Sequence, residues 1–306
     1  MKISEQKLGL VYGLTAYTIW GLFPWYFHFL THVDPWQVLI QRIIWSFLLV
    51  TLIALVLRHW SAIKLALSQP KTLLGLCISS LLIAANWLIF IWAVGQDRVV
   101  ESSLGYFITP LVSVLLARVF LKESLDIYRL TAVVLALIGV LWLVVQLGVV
   151  PWVSLSLAAS FGLYGLARKK VPVDSLTGLW VETGILLPFA LIAWIGLEVQ
   201  GQSQLFSEGF QTTFLLIFSG ALTAAPLLLF ASAAQRLSLT AVGFMMYINP
   251  TMQFLTAIYL LKEPFTQQQF IAFLFIWVAL VVFSIGAIRQ QNQRQQRLNS
   301  ASASSH

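Results

Sequence analysis

The chain has 306 residues, 59% of them apolar and only 9% charged, with a formal net charge of +7 and a mean hydropathy of +0.87. Soluble domains carry about 25% charged residues, so the composition excludes a water-soluble fold and leaves lipid as the solvent. The positive charge does not point to nucleic acid, whose binders gather a basic patch among exposed aromatics.

Apolar runs close to the ~20 residues that span a hydrocarbon core recur at about 8–28, 36–57, 73–95, 102–120, 128–147, 151–168, 175–197, 211–234, 239–260 and 266–288. None alternates with the period of 2 expected of a barrel strand, so the sequence predicts ten transmembrane helices, each bonding its own backbone. The first run follows Lys2 and Lys7 as an export signal would, but it ends in FPWYFH without a small-x-small cleavage site. It is expected to stay as helix 1. The second run holds Arg42 and Trp45 in the segment QRIIWS (41–46). The third holds Asn86, Trp87 and the lone cysteine, Cys77, which excludes a disulfide within the chain.

The fourth run places Ser102, Tyr106, Thr109 and Ser113 on one polar stripe at i, i+4, i+7 and i+11, and carries Pro110 in its interior. The seventh contains Glu182 in GLWVETGIL (178–186). The ninth repeats the stripe as Val242, Met246, Asn249 and Gln253, with Tyr247 beside it and Pro250 inside. The tail after Ile288 is polar, low in complexity and expected to be disordered.

Lys and Arg set the orientation. With the N-terminus in the cytoplasm, all 18 fall on the inner side except Arg98, Lys262 and the intramembrane Arg42. Both termini are therefore expected in the cytoplasm.

The halves also repeat. Residues 86–123 and 226–263 align without gaps at an offset of 140, matching at ten of 38 positions, among them Pro110 with Pro250 and Leu121-Lys122-Glu123 with Leu261-Lys262-Glu263. Five spans per half is an odd number, so the second repeat must enter the membrane from the other side. The expected organisation is a first repeat over 1–150, an inverted second repeat over 151–288, and a cytoplasmic tail over 289–306. Secondary transporters built this way bind solute near the midplane at the repeat interface.

The segments WGLFPWYF (20–27), QRIIWS, NWLIFIWAVGQDRVVESSLGYFITPL (86–111), SFGLYGLARKK (160–170), VETGILLP (181–188), TAAPLLLFASAAQRL (223–237), YINPTMQFL (247–255) and FIWVAL (275–280) resemble the RarD branch of the EamA-type drug/metabolite transporters over roughly residues 8–288. The resemblance implies an all-α integral membrane fold of two five-helix EamA repeats, a place in the bacterial inner membrane, a permease acting on a small amphipathic solute, and a link to chloramphenicol sensitivity. Thr109 stands where the family pattern has Asn before the Pro, whereas Asn249 fits it.

Ionisable groups at membrane depth mark a site by default. Arg42 and Glu182 occupy equivalent repeat positions, 140 apart. One reading gives Arg42 an anionic or zwitterionic solute, with Glu182 as its counter-ion or as a proton-coupling carboxylate; the other makes them a structural ion pair or a snorkelling pair. Thr109, Asn249 and Gln253 either line the pathway or bond helix to helix. Trp45, Asn86, Trp87, Tyr106 and Tyr247 complete the candidate solute contacts, and Pro110 and Pro250 are candidate gates. Gly13, Gly21, Gly162 and Gly165 read as close helix contacts.

No HExxH, Walker loop or GxSxG occurs, and the four His lack metal spacing. No cofactor, metal or nucleic acid is expected; the partners are a solute and the bilayer, and a homodimer is left open. The alternatives are a passive channel, or an integral-membrane enzyme acting on a lipid-linked substrate, for which Asp97 and Glu101 are the one available acidic pair.

Overall fold

A computed structural model describes residues 5–122, 126–148, 150–237 and 245–303. Within them the chain forms twelve helices: α1 (Glu5–Gly21), α2 (Phe23–His28), α3 (Pro35–Val56), α4 (Trp60–Ser68), α5 (Pro70–Gly95), α6 (Val99–Leu121), α7 (Ile127–Leu147), α8 (Trp152–Lys169), α9 (Ser175–Val199), α10 (Phe210–Arg236), α11 (Ile248–Leu255) and α12 (Gln267–Ala303). Among the described residues, seven are long and apolar enough to cross a membrane: α3, α5, α6, α7, α9, α10 and the first part of α12. Outward-facing side chains such as Val56, Val145, Phe189, Val199 and Phe210 are exposed, an apolar surface far larger than a soluble monomer shows.

Helix ends follow local chemistry. Asp34, Asp126 and Asp174 cap α3, α7 and α9 by accepting backbone N–H groups of the first turn, which otherwise lack partners. Pro35 and Pro70 open α3 and α5 at positions where no amide is needed. Lys122 and Lys262, the middle residues of the two Leu-Lys-Glu triplets, both turn left-handed, with φ of 55° and 58°. Each ends its helical segment in a conformation that non-glycine residues adopt at a cost of about 1–2 kcal/mol.

Three elements differ from expectation. The ninth run does not form one long helix: the described part turns at Met246 and Tyr247, forms α11, and continues as a π-helical turn over Thr256–Leu260. Pro250 thus sits in the first turn of α11, where its missing amide costs no hydrogen bond. Pro110, by contrast, lies inside continuous α6. The tail is helical to Ala303 instead of disordered, because Gln, Arg and Leu extend an already nucleated helix at little propensity cost. Finally, α4 is a short helix outside the ten runs, packed on α5 and α9. Glu123 and Val242 lie outside the described residues.

The packing pairs have an internal order. Taking the ten expected spans in sequence and exchanging each for the one five further on turns the α6–α8 contact into α11–α1, α1–α10 into α8–α5, and α3–α10 into α9–α5. The same exchange returns α3–α9, α6–α11 and α7–α12 onto themselves. Small residues allow the closest approaches: a Cβ on Gly220 of α10 would lie 2.4 Å from the Trp45 carbonyl carbon of α3, and one on Gly21 would lie 2.3 Å from Met252 Cβ. Gly13 and Gly162 also face close neighbours, whereas nothing lies within 4 Å of the Gly165 position.

Candidate functional site

A cavity of about 380 Å³ lies between the halves, walled by α1, α2, α3, α5, α6, α8, α9, α10 and α11. Such a volume suits a small solute. Of the residues expected at a site, Arg42, Asn86, Trp87, Tyr106 and Thr109 of the first half line it, as do Glu182, Tyr247, Asn249 and Gln253 of the second; both candidate gate prolines reach it as well.

Trp45 does not line the cavity. Its indole N–H donates to Gln41 Oε1 at 3.1 Å, and its backbone packs on Gly220. It stands three positions after Arg42, about 60° away around the helix, and sequence position alone does not fix which of the two turns inward.

Capping by Asp34 starts α3 so that Arg42 stands two turns in. The residue is only 3% exposed. Its Nε donates to Thr223 Oγ1 at 2.8 Å, and Thr223 passes its own hydroxyl hydrogen to the Ser219 carbonyl. The guanidinium carbon lies 4.2 Å from the Trp87 ring centre and 5.5 Å from those of Phe23 and Phe27. Rings contribute cation–π attraction of about 0.5–2 kcal/mol each but no counter-charge. Among the described residues Arg42 forms no ion pair.

Glu182 is therefore not the counter-ion of Arg42. Its carboxylate accepts the Ser79 hydroxyl at 2.5 Å and the Tyr164 hydroxyl at 3.4 Å, and stands 3.7 Å from Arg168 Nε. Arg168, at the end of α8, reaches it by lying against Gly178, where a Cβ would come within 2.0 Å of Nη1. By sequence Arg168 belongs among the surface cations, since nothing in its local pattern distinguishes it from Lys169 and Lys170.

Other polar groups organise the walls. Asn86 donates to the Leu157 carbonyl at 3.2 Å and Ser160 Oγ at 3.0 Å, and accepts the Tyr106 hydroxyl at 3.1 Å. It thereby ties α5, α6 and α8 together and holds Tyr106 in place. Thr109 and Ser113 return their hydroxyl hydrogens to carbonyls one turn back, and Gln253 donates to Asn249 Oδ1 at 2.9 Å. Buried Gln253 Oε1 has no partner among the described residues.

Two aromatic groups face the space: Tyr17, Trp20 and Phe230 with ring centres 5.4–6.0 Å apart, and Phe90, Tyr106, Phe161 and Tyr164 at 5.8–6.1 Å. Of these, only Tyr106 is a sequence candidate, since a Phe in a membrane helix carries no signal of facing inward.

The cavity reaches the end of the bundle where α8 stops and α9 begins, at Arg168 and Ser175. Among the described residues, no lining residue comes from the opposite end. There Glu263 accepts the Val99 and Val100 amides, Glu101 is engaged by Arg98 at 2.7 Å, and the Arg98 guanidinium rests 5.5 Å from the Trp152 ring. Among the described residues no three His, Cys, Asp or Glu side chains gather to hold a metal.

Residues 7–145 match the EamA-like transporter family. The chain is 41% identical over 286 residues to an uncharacterized transporter of Vibrio cholerae, covering 94% of this chain and 95% of that one. It is 40% identical over 294 residues to protein RarD of Salmonella typhimurium, covering 96% and 100%. A solved crystal structure 18% identical in sequence superposes with a TM-score of 0.58 over 92% of this chain and 98% of the other, a likeness of fold.

Proposed function

The chain belongs to the RarD branch of the EamA-like transporter family, and from that premise we propose that it is a secondary-active permease moving a small amphipathic solute across the bacterial inner membrane by alternating access. Family membership indicates a membrane transporter rather than an enzyme. The observation that carries the mechanism is the asymmetry of the cavity: its described lining reaches the bundle end at Arg168 and Ser175 and includes no residue from the end where Glu263 caps α6.

The exchange order of the packing pairs supports ten spans in two inverted repeats, since the α6–α8, α1–α10 and α3–α10 contacts each have their exchanged counterpart. With α1, α8 and the ninth run, which holds α11, counted as spans and both termini in the cytoplasm, Arg168 lies on the inner side and the conformation is inward-facing. Arg42, Trp87, Tyr106, Thr109, Tyr247, Asn249 and Gln253 contact the solute, Asn86 positions Tyr106, and Glu182 serves proton coupling. Pro110 acts as a hinge in the interior of α6, because the amide it lacks weakens the helix there. The expected link to chloramphenicol sensitivity follows from the same membership.

Solute counterflow in proteoliposomes, with and without an imposed pH gradient, tests the reading. Accumulation that follows the gradient and is diminished in Pro110→Ala is expected. Passive equilibration of solutes, indifferent to the gradient and to preloading, would identify a channel instead.

A further inference from the structure

The charges on the cavity wall specify the solute more narrowly than amphipathic. Among the described residues, the acidic and basic side chains that line the space are Arg42, Arg168 and Glu182. Two guanidiniums against one carboxylate leave one positive charge in excess, and the contacts say which residue carries it. Glu182 is engaged by Arg168, Ser79 and Tyr164. Arg42 spends one donor on neutral Thr223 and faces Trp87, Phe23 and Phe27.

A guanidinium stays protonated in proteins, and a buried charge without a partner is expensive. Its remaining donors, in a planar fork suited to a carboxylate, have no other partner among the described residues. What the site lacks is an anion.

We infer that the solute is an organic monoanion, one carboxylate or equivalent group on a flat apolar body, with its anionic end on Arg42 and its body between the two aromatic walls. The inference deepens the reading of this cavity as the transport site and rests on it. A cation would meet two guanidiniums with the one wall carboxylate among the described residues already engaged. A zwitterion would bring an ammonium with nothing charged to receive it, since Gln253 Oε1 and the hydroxyls are neutral. The aromatic faces, edge-on and tilted at ring distances of 5.4–6.1 Å, suit a planar ring better than a flexible chain.

The test varies charge on a constant ring. Phenylacetate, phenylalanine, phenethylamine and phenylacetamide carry the same phenyl group as anion, zwitterion, cation and neutral amide, and 2-naphthylacetate extends the anion by one ring. Binding to the purified full chain is measured by the rise in its unfolding temperature and by calorimetry, and transport by counterflow in proteoliposomes.

The anions are expected to bind at least tenfold more tightly than the other three, with Arg42→Gln abolishing the preference and Arg42→Lys keeping part of it. The comparison on the unaltered protein stands even if an Arg42 variant fails to fold. Equal or tighter binding of phenylalanine or phenethylamine, or no binding of either anion, overturns the inference. Anions that bind through Arg42 but are not exchanged would uphold the charge class and overturn the transport reading; counterflow of phenethylamine alone would do the reverse.

Discussion

Glu263 accepts the Val99 amide at 2.7 Å, and its second oxygen takes the Val100 amide at 2.8 Å, so a carboxylate of one half caps a helix of the other. The first amides of α6 have no partner within the helix, and a negative charge at a helix N-terminus is favourable. Burial pushes the Glu263 carboxyl above its ordinary range despite the two backbone bonds. Glu263→Gln keeps the size but leaves one amide without an acceptor, at about 1–3 kcal/mol. Amide hydrogen exchange over Val99–Ser103 is expected to accelerate in that variant. Unchanged exchange would mean that the cap does not hold this end shut.

Gly178→Ala acts on the other end. The added Cβ would overlap the Arg168 guanidinium, with Nη1 at 2.0 Å and Nη2 at 2.2 Å, and so separate Arg168 from Glu182. Stability should fall by up to about 3 kcal/mol, as when a buried pair is broken. Because Arg168→Gln removes the same interaction, the double variant should lose little more than either single one. Additive losses in thermal unfolding would show that Gly178 matters for something else.

Two glycines with the same helical setting should respond in opposite ways. Gly220→Ala drives a Cβ into the α3 backbone at Trp45 and Ser46, which cannot yield as a side-chain tip would, and is expected to cost about 1–3 kcal/mol. Gly165→Ala meets nothing within 4 Å and gains about 0.5–1 kcal/mol of helix propensity. Unfolding temperatures in one detergent check the pair, and a tolerant Gly220 would refute the close α3–α10 contact.

Asp174 gives a pH signature. Burial alone would raise its carboxyl, but hydrogen bonds from the Thr177 hydroxyl and amide and from His59 outweigh it and hold the group below its ordinary value. A depressed carboxylate stabilises the fold above its unfolded pKa of about 4 and loses that contribution as the pH falls through its folded value. Asp174→Asn should therefore lower the unfolding temperature by a constant amount from pH 7 to about 5, with the difference shrinking below about 4. At neutral pH the loss of the negative charge at the start of α9 should cost about 0.3–1 kcal/mol. A gap that persists unchanged to pH 3 would rule out the ionised carboxylate as its source.

Composition and run length determined the class, and the described helices follow the expected runs closely at most ends: 36–57 became Pro35–Val56 and 175–197 became Ser175–Val199. The costs that fix them are local, because each apolar run must match the bilayer core and bond its own backbone. The same logic pointed to most of the polar residues that line the cavity. Arg42, Asn86, Glu182, Asn249 and Gln253 stand out in apolar helices because each must find polar company there.

Tertiary structure alone decided which company each kept. Arg168 looked like a surface cation until Gly178 let it lie across α9 to Glu182, and that contact left Arg42 unneutralised. Trp45 and Trp87 are equally conspicuous in sequence, yet one packs behind α3 and the other lies under Arg42. A sequence reports what each residue costs to bury. Partnership depends on the rotation and approach of helices far apart in the chain, and at this site those determine the charge that the cavity presents.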